Sequence, residues 1–294
     1  MMNILEFSKI RKLFEKIKIE YINEFRNKNK VHKIDPNLGI VLVPHCGLGD
    51  YIWAVNISVH LSVKYKKKIG ILIIEKYYDV IYKLLIESGY IINVYLQKTL
   101  KVGDFIGDSS AIKKLNSNAN GMVYYPMGWY AGRKIKKYPD DFFELFSLDV
   151  KKIEIRGLDK DINLLKKRKD LIAMPDDYIY INLNSATDVI DINKVLNIIN
   201  NELPVLIVTN KTETRNIVLR GGNIAYIREK DITLKGHLAL IQYAKNVILI
   251  DSAIFNLSKS FNLSCNEMSV WKRGHYKHKW GGVLLNETTI MGET

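Results

Sequence analysis

Cysteine is nearly absent from this chain. Cys46 and Cys265 are the only two in 294 residues, they lie far apart, and neither belongs to a CxxC pair. That excludes a disulfide framework and a cysteine-based zinc or redox motif, and it fits a reducing cytoplasm. No run of about 18 apolar residues occurs, so no membrane-spanning helix is expected. Glu6, Lys9, Arg11 and Glu15 break up the apolar residues at the N-terminus, so no secretory h-region is expected there. Acidic charge is the scarcer sign, 31 Asp and Glu against 44 Lys and Arg, for a net +13. Two readings of that excess stand: attraction to an anionic partner (nucleotide phosphate, acidic glycolipid, nucleic acid or membrane surface), or a solvated lysine-rich surface. Nucleic acid rests on charge alone and is not the expected partner. The glycine signatures of nucleotide binding are incomplete as well. After Gly47 and Gly49, Ile52 stands where the third glycine of GxGxxG would fall, and no P-loop lysine follows.

What is present is an ordinary globular composition, 47% hydrophobic and 26% charged, able to bury a core without a metal or disulfide staple. In residues 3–30, Ile4, Phe7, Ile10, Leu13, Phe14, Ile17 and Tyr21 recur at helical spacing among basic residues. This basic amphipathic helix either packs on the body or on a second subunit, or rests on an anionic membrane surface. The apolar run 39–44 reads as a strand buried on both faces. A helix over 51–65 follows, with Ile52, Val55, Val59 and Val63 on one side. Then come a strand at 69–74, a helix at 77–88 ending at Gly89, and strands at 91–96 and 122–125. The charged stretch 151–170 reads as a junction. Beyond it the alternation resumes, with strands at 178–183, 204–208, 224–227 and 247–250, and helices at 192–199, 213–219, 234–244 and 253–261.

Strands alternating with helices at this spacing imply parallel, doubly wound sheets. The expected fold is α/β, with two Rossmann-like doubly wound domains facing a cleft and an extra N-terminal amphipathic helix. The divisions are 1–36 for the helix, 37–165 for the first Rossmann-like domain and 166–294 for the second. Ligands of such sheets bind beyond the carboxyl ends of the strands.

Two strand-to-helix turns carry the chemistry. In Gly47-Leu48-Gly49-Asp50 the glycines let the backbone take positive φ and approach a ligand, and the helix N-terminus favours an anion. The plainer reading is a tight connection with Asp50 as the helix N-cap. Asp50 is also a candidate general base toward an acceptor hydroxyl. The helix dipole favours its charged form and weakens it as a base, so that role requires a closed, desolvated site. In Asp251-Ser252-Ala253-Ile254-Phe255-Asn256, Asp251 and Ser252 either hold a sugar or phosphate or cap the following helix.

Other features divide between two readings. His275 and His278 have HxxH spacing, but two histidines cannot close a zinc site, and no metal is expected. The segment 271–280 interleaves basic and aromatic residues. It either stacks a base or sugar and grips phosphate, or is a solvated loop with two packing tryptophans. Trp129 and Arg133, in the similar stretch 129–137, are candidates for contact with an acidic acceptor. His45 and Cys46 are adjacent on a strand, point to opposite faces and read as packing residues.

The strand followed by Gly47-Leu48-Gly49-Asp50 and an aliphatic helix resembles the start of the heptosyltransferase family of glycosyltransferases. So does the distant segment from Leu238 to Ser252, a helix, an apolar strand and an Asp-Ser turn. The resemblance covers 39–262 in order, with the two turns as its specific parts. It implies the GT-B fold, two Rossmann-like domains around a cleft, with no metal and no cofactor at the site. The donor is a nucleotide-sugar substrate, ADP-linked in the best-known members. By position, Asp50 matches the catalytic base and Asp251 the donor-contacting acid. Ser252 replaces Thr, Ala253 replaces Gly, and Asn256 stands where a donor-site His is expected. The family's phosphate-binding Lys has no counterpart between Asn182 and Asp188, which leaves Asn184 and Ser185 as donor-side candidates with Gly47 and Gly49.

Without a metal, a leaving diphosphate needs N–H groups and cations. Lys211 is preferred over Arg215 and Lys230, against the alternative of a surface lysine. The family's chain also crosses back over its first domain near the end. Only 14 residues follow Trp280 here, and the N-terminal helix is the candidate to supply that packing instead. The expected function is transfer of a sugar to a bacterial surface glycan or glycolipid. The expected place is the cytoplasm, with a peripheral position at the inner face of the membrane as the further reading. The alternative is a non-catalytic or differently specialised nucleotide-binding module.

Overall fold

The computed structural model describes residues 31–44, 47–89, 92–97, 115–117, 120–127, 139–167, 176–184, 195, 203–209, 224–250, 252–264, 267–272 and 287–291. The expected helices over 3–30 and 213–219, and that over 192–199 apart from Val195, lie outside these residues. So do the basic segments 129–138 and 273–280.

The first sheet holds β1 (Gly39–Val43), β2 (Gly70–Ile74), β3 (Asn93–Gln97) and β4 (Met122–Pro126), all parallel, in the order β3-β2-β1-β4. The register pairs Val41 with Gly70 on one side and with Tyr124 on the other. β1 and β2 are flanked by strands on both sides and covered on both faces, so their sequences run continuously apolar instead of alternating. α1 (Leu48–Tyr65) and α2 (Glu75–Ser88) make the crossovers. α2 stops at Gly89, whose φ of 72° lets its N–H turn back to the carbonyl of Ile86 at 3.1 Å.

The second sheet holds β5 (Ile179–Asn182), β6 (Val205–Val208), β7 (Ile224–Ile227), β8 (Asn246–Ile250), β9 (Glu267–Lys272) and β10 (Glu287–Met291). All are parallel, in the order β10-β9-β8-β5-β6-β7. Counted from β5, that is the 3-2-1-4-5-6 order of a Rossmann sheet. The first sheet follows the opening of the same scheme. Each therefore has a point where the strand order reverses, between β1 and β4 and between β5 and β8. The helices here include α5 (Leu234–Tyr243) and α6 (Ala253–Ser260), and α3 (Asp140–Glu144) and α4 (Leu158–Lys166) precede the sheet in the chain.

Four elements depart from expectation. The charged stretch 151–170 contains α4, whose Leu158, Ile162 and Leu165 recur on one buried face that packs on α5. Its charges fill the other faces, so the charged stretch holds a helix that the charges alone do not announce. β9 and β10 were not expected at all, and β10 places five of the last residues at the edge of the second sheet. In α1 the proposed stripe ends early, because Val63 is 75% exposed. From Tyr51 to Ser58 every residue of that helix is buried, all the way round. A helix buried on all sides lies between layers, and α1 lies between the first sheet and α6. One continuous cluster of buried side chains accordingly runs from Ile40, Leu42 and Ile73 through Trp53 and Phe255 to Tyr180 and Leu249.

Candidate functional site

The turn after β1 folds around backbone polarity. Gly47 is the N-cap of α1, in extended conformation with φ −93° and ψ 148°. Asp50 is the third residue of the helix. Its N–H donates to the Gly47 carbonyl at 3.0 Å, and its carboxylate Oδ2 accepts from the Gly47 N–H at 3.1 Å. Asp50 thus reaches back to the cap as the acid of a capping box does, and is not itself the N-cap. Neither glycine takes positive φ. The reason for glycine at 49 is a neighbour, since a Cβ there would overlap Nδ2 of Asn256 and lie 3.2 Å from its Cγ.

That neighbour belongs to the second turn. Ser252 is the N-cap of α6, with an extended backbone and no hydrogen bond from its side chain to the cap. Its Oγ is buried and finds no hydrogen-bond partner among the described residues. Asn256 lies one helical turn on and is 8% exposed. Its N–H and its Nδ2 both donate to the Ser252 carbonyl at 3.0 Å, and its Oδ1 accepts from Trp53 Nε1 at 3.1 Å. Further along, Asn56 Nδ2 donates to Ser260 O at 2.8 Å and to Lys151 O at 3.0 Å. Contacts advance together from Gly49–Asn256 to Asn56–Ser260, so α1 and α6 run side by side in the same direction. Their first turns, which carry the positive dipole ends, come together. Sequence reasoning brought out Gly49, Asp50, Ser252 and Asn256 but missed Trp53 and Asn56. The signal was an Asn and an indole N–H inside an otherwise apolar helix, where each needs a partner.

Asn184 lies just beyond β5, at the reversal point of the second sheet. Its N–H donates to Asn182 Oδ1 at 3.0 Å, and its Nδ2 donates to Val208 O at 3.2 Å. Behind it, Asn182 Nδ2 donates to Tyr180 Oη at 3.4 Å, and that hydroxyl lies 2.6 Å from His237 Nδ1 on α5. Burial holds the His237 imidazole down to about 3. The ring is therefore uncharged at neutral pH. The same burial pushes the Tyr180 phenol up. Because the folded pKa of His237 is below its unfolded value, the unfolded chain takes up a proton that the folded chain refuses between about pH 6.5 and 3. Stability should therefore fall as pH drops through that window. Denaturant midpoints measured from pH 7 to pH 4 should show this slope, and His237→Gln should flatten it.

A second linkage joins the helices behind the site. Lys235 of α5 is buried, donates to the Glu87 carbonyl at the end of α2 at 2.9 Å, and pairs with Asp161 of α4 at 3.1 Å.

The sequence matches no protein-family model and no curated protein. Solved structures do match. A glycosyl transferase family 9 structure from Veillonella parvula DSM 2008 aligns with a TM-score of 0.57 at 11% identity, over 90% of this chain and 89% of that one. The ADP-heptose LPS heptosyltransferase II of E. coli aligns with a TM-score of 0.51 at 8% identity, over 86% and 90%. The fold is that of the heptosyltransferase-type structures. The resemblance read from the two turns thus has a counterpart in the whole backbone, and at these identities it is a likeness of fold.

Gly47, Gly49, Asp50, Ser252 and Asn256 come together at the paired helix starts, and Asn184 stands at the second sheet's reversal point. Ser185, Lys211, Asp251, Trp129, Arg133, His45 and Cys46 lie outside the described residues. Among the described residues no group of three His, Cys, Asp or Glu is placed to hold a metal, and no helix is long and apolar enough to cross a membrane.

Proposed function

We propose that the chain is a two-domain, metal-independent glycosyltransferase of the heptosyltransferase type. It moves a sugar from a nucleotide-activated donor to a bacterial surface glycan or glycolipid. The observation that carries the reading is the pairing of the two helix starts. One presents the Asp50 carboxylate, and the other presents the buried Ser252 hydroxyl, which has no hydrogen-bond partner among the described residues, with the N–H groups behind it. Such N-termini attract the oxygens of a diphosphate. Asp50 takes the proton of the acceptor hydroxyl as its oxygen bonds to the anomeric carbon. The bond from that carbon to the donor's phosphate oxygen breaks, and the nucleoside diphosphate leaves. In this reading Asp251, Ser185, Asn184 and Lys211 are assigned to binding the donor, and Trp129 and Arg133 to binding the acceptor. The net charge of +13 suits both the donor and a peripheral position at an anionic membrane where a glycolipid would be met.

A second reading is a nucleotide-binding module without transfer. It draws on Asn256, whose amide is engaged with Trp53 and Ser252 at the position of the family's donor-site His.

Thermal unfolding with ADP-, UDP-, GDP- and CMP-sugars separates the readings. A donor at a hundred times its Kd should stabilise the chain by about 2.7 kcal/mol. Binding followed by nucleotide release supports the transferase, and binding without release the module. No shift with any of the four would overturn both.

A further inference from the structure

We propose that Asn256 is a positioning residue. Its amide clasps the turn that carries Asp50 to the turn that carries Ser252, with Trp53 as its partner and the missing side chain of Gly49 as the space that admits it. The proposal deepens the transferase reading and rests on it.

Three observations converge. Asn256 Oδ1 accepts from Trp53 Nε1 at 3.1 Å, across the two helices. Its Nδ2 donates to the carbonyl of Ser252, the cap of its own helix, at 3.0 Å. The same Nδ2 lies so close to Gly49, one residue before Asp50, that a Cβ there would overlap it. Both ends of the amide are thus turned toward protein, in a side chain 8% exposed.

The clasp lies where placement matters. Asp50 and Ser252 are each in or beside the first turn of their helix, so the spacing between base and donor follows the spacing between α1 and α6. A displacement of about 1 Å between reacting groups is enough to cost about a hundredfold in rate. Farther along the pair, Asn56 holds Ser260 and the backbone of Lys151. That second link keeps the helices together when the first is cut, so the clasp can be tested in folded protein.

The test uses the full chain, the sugar nucleotide from the four-member panel that binds best, and a membrane glycolipid extract as acceptor. Turnover is read as nucleotide release and normalised to the folded fraction. Asn256→Ala and Trp53→Phe should each lower kcat by about ten- to a hundredfold and leave the donor Kd within about threefold. The double variant should be no slower than the slower single one, because both remove the same link. Gly49→Ala, which fills the space, should show the same split.

A donor Kd weakened tenfold or more in Asn256→Ala, with Trp53→Phe unchanged, would make Asn256 a donor contact and overturn the proposal. Unchanged kcat per folded molecule in both variants would reduce the clasp to packing and overturn it equally. Failure of the transferase reading is recognised separately. The unmodified chain would then bind no sugar nucleotide, and the catalytic role of the clasp would fall with it.

Discussion

Asparagine at position 50 is expected to lower turnover by about 10²- to 10⁴-fold while donor affinity stays within about threefold. The substitution is a clean one because of what Asp50 does locally. Its Oδ2 accepts from the Gly47 N–H at 3.1 Å, and an asparagine oxygen can accept the same bond. The cap of α1, the spacing to Asn256 and the fold are therefore retained, and what is lost is an oxygen able to take a proton. Alanine makes the contrast. Asp50→Ala removes the base and also leaves the cap N–H without its carboxylate, adding about 1 kcal/mol of instability. Both variants should be inactive, but only the alanine variant should melt early. Nucleotide release with the glycolipid extract measures the first effect, and thermal unfolding the second. An asparagine variant with full turnover would remove Asp50 from the chemistry and leave it as a capping residue.

The strands were the most legible part of this fold. Runs such as 39–43 and 70–74 are apolar without alternation, and burial on both faces of a parallel sheet is the physical cause of that pattern. Gly89 marked the end of α2 because glycine takes the positive φ of this closure without strain. Local signals with two causes were less legible. In 158–166 the charges that form the solvent face of α4 masked its apolar stripe. In α1 the stripe was too narrow, because α6 buries the side that an isolated layer would leave wet.

The same contact explains why the site was half legible. That Gly49 and Asn256 matter could be seen in their turns. That each explains the other could not, because the reason for a glycine without positive φ is a side chain 207 positions away in the chain. Local propensity carries no trace of such a pair. Asn56 and Trp53 left only a faint one, as hydrogen-bonding groups inside an apolar helix.

The largest effect on stability is expected from Trp53→Ala. Trp53 is fully buried at the meeting of three helices. Its ring stands edge-on to Phe143 of α3 at 5.9 Å, and its Nε1 reaches Asn256 of α6. Alanine removes the ring, opens a cavity among side chains that are themselves fully buried, and leaves Asn256 Oδ1 without its donor. Truncations of this kind cost about 3–5 kcal/mol, and the stripped amide oxygen adds about 1–3 kcal/mol. Against a total stability of about 5–15 kcal/mol for a native protein, that is a large share. At about 2–4 °C per kcal/mol for a chain of a few hundred residues, the melting point should drop by roughly 10 °C or more. Trp53→Phe keeps most of the ring and loses the N–H, so it should unfold well above the alanine variant while still breaking the link to Asn256. The position of the phenylalanine variant between the other two then divides the effect. The gap from wild type measures the hydrogen bond and the smaller ring, and the gap from alanine measures the filled volume. Coincident melting of the alanine variant and wild type would mean that α1 and α6 do not pack as described. The clasp between the two turns would then have no support.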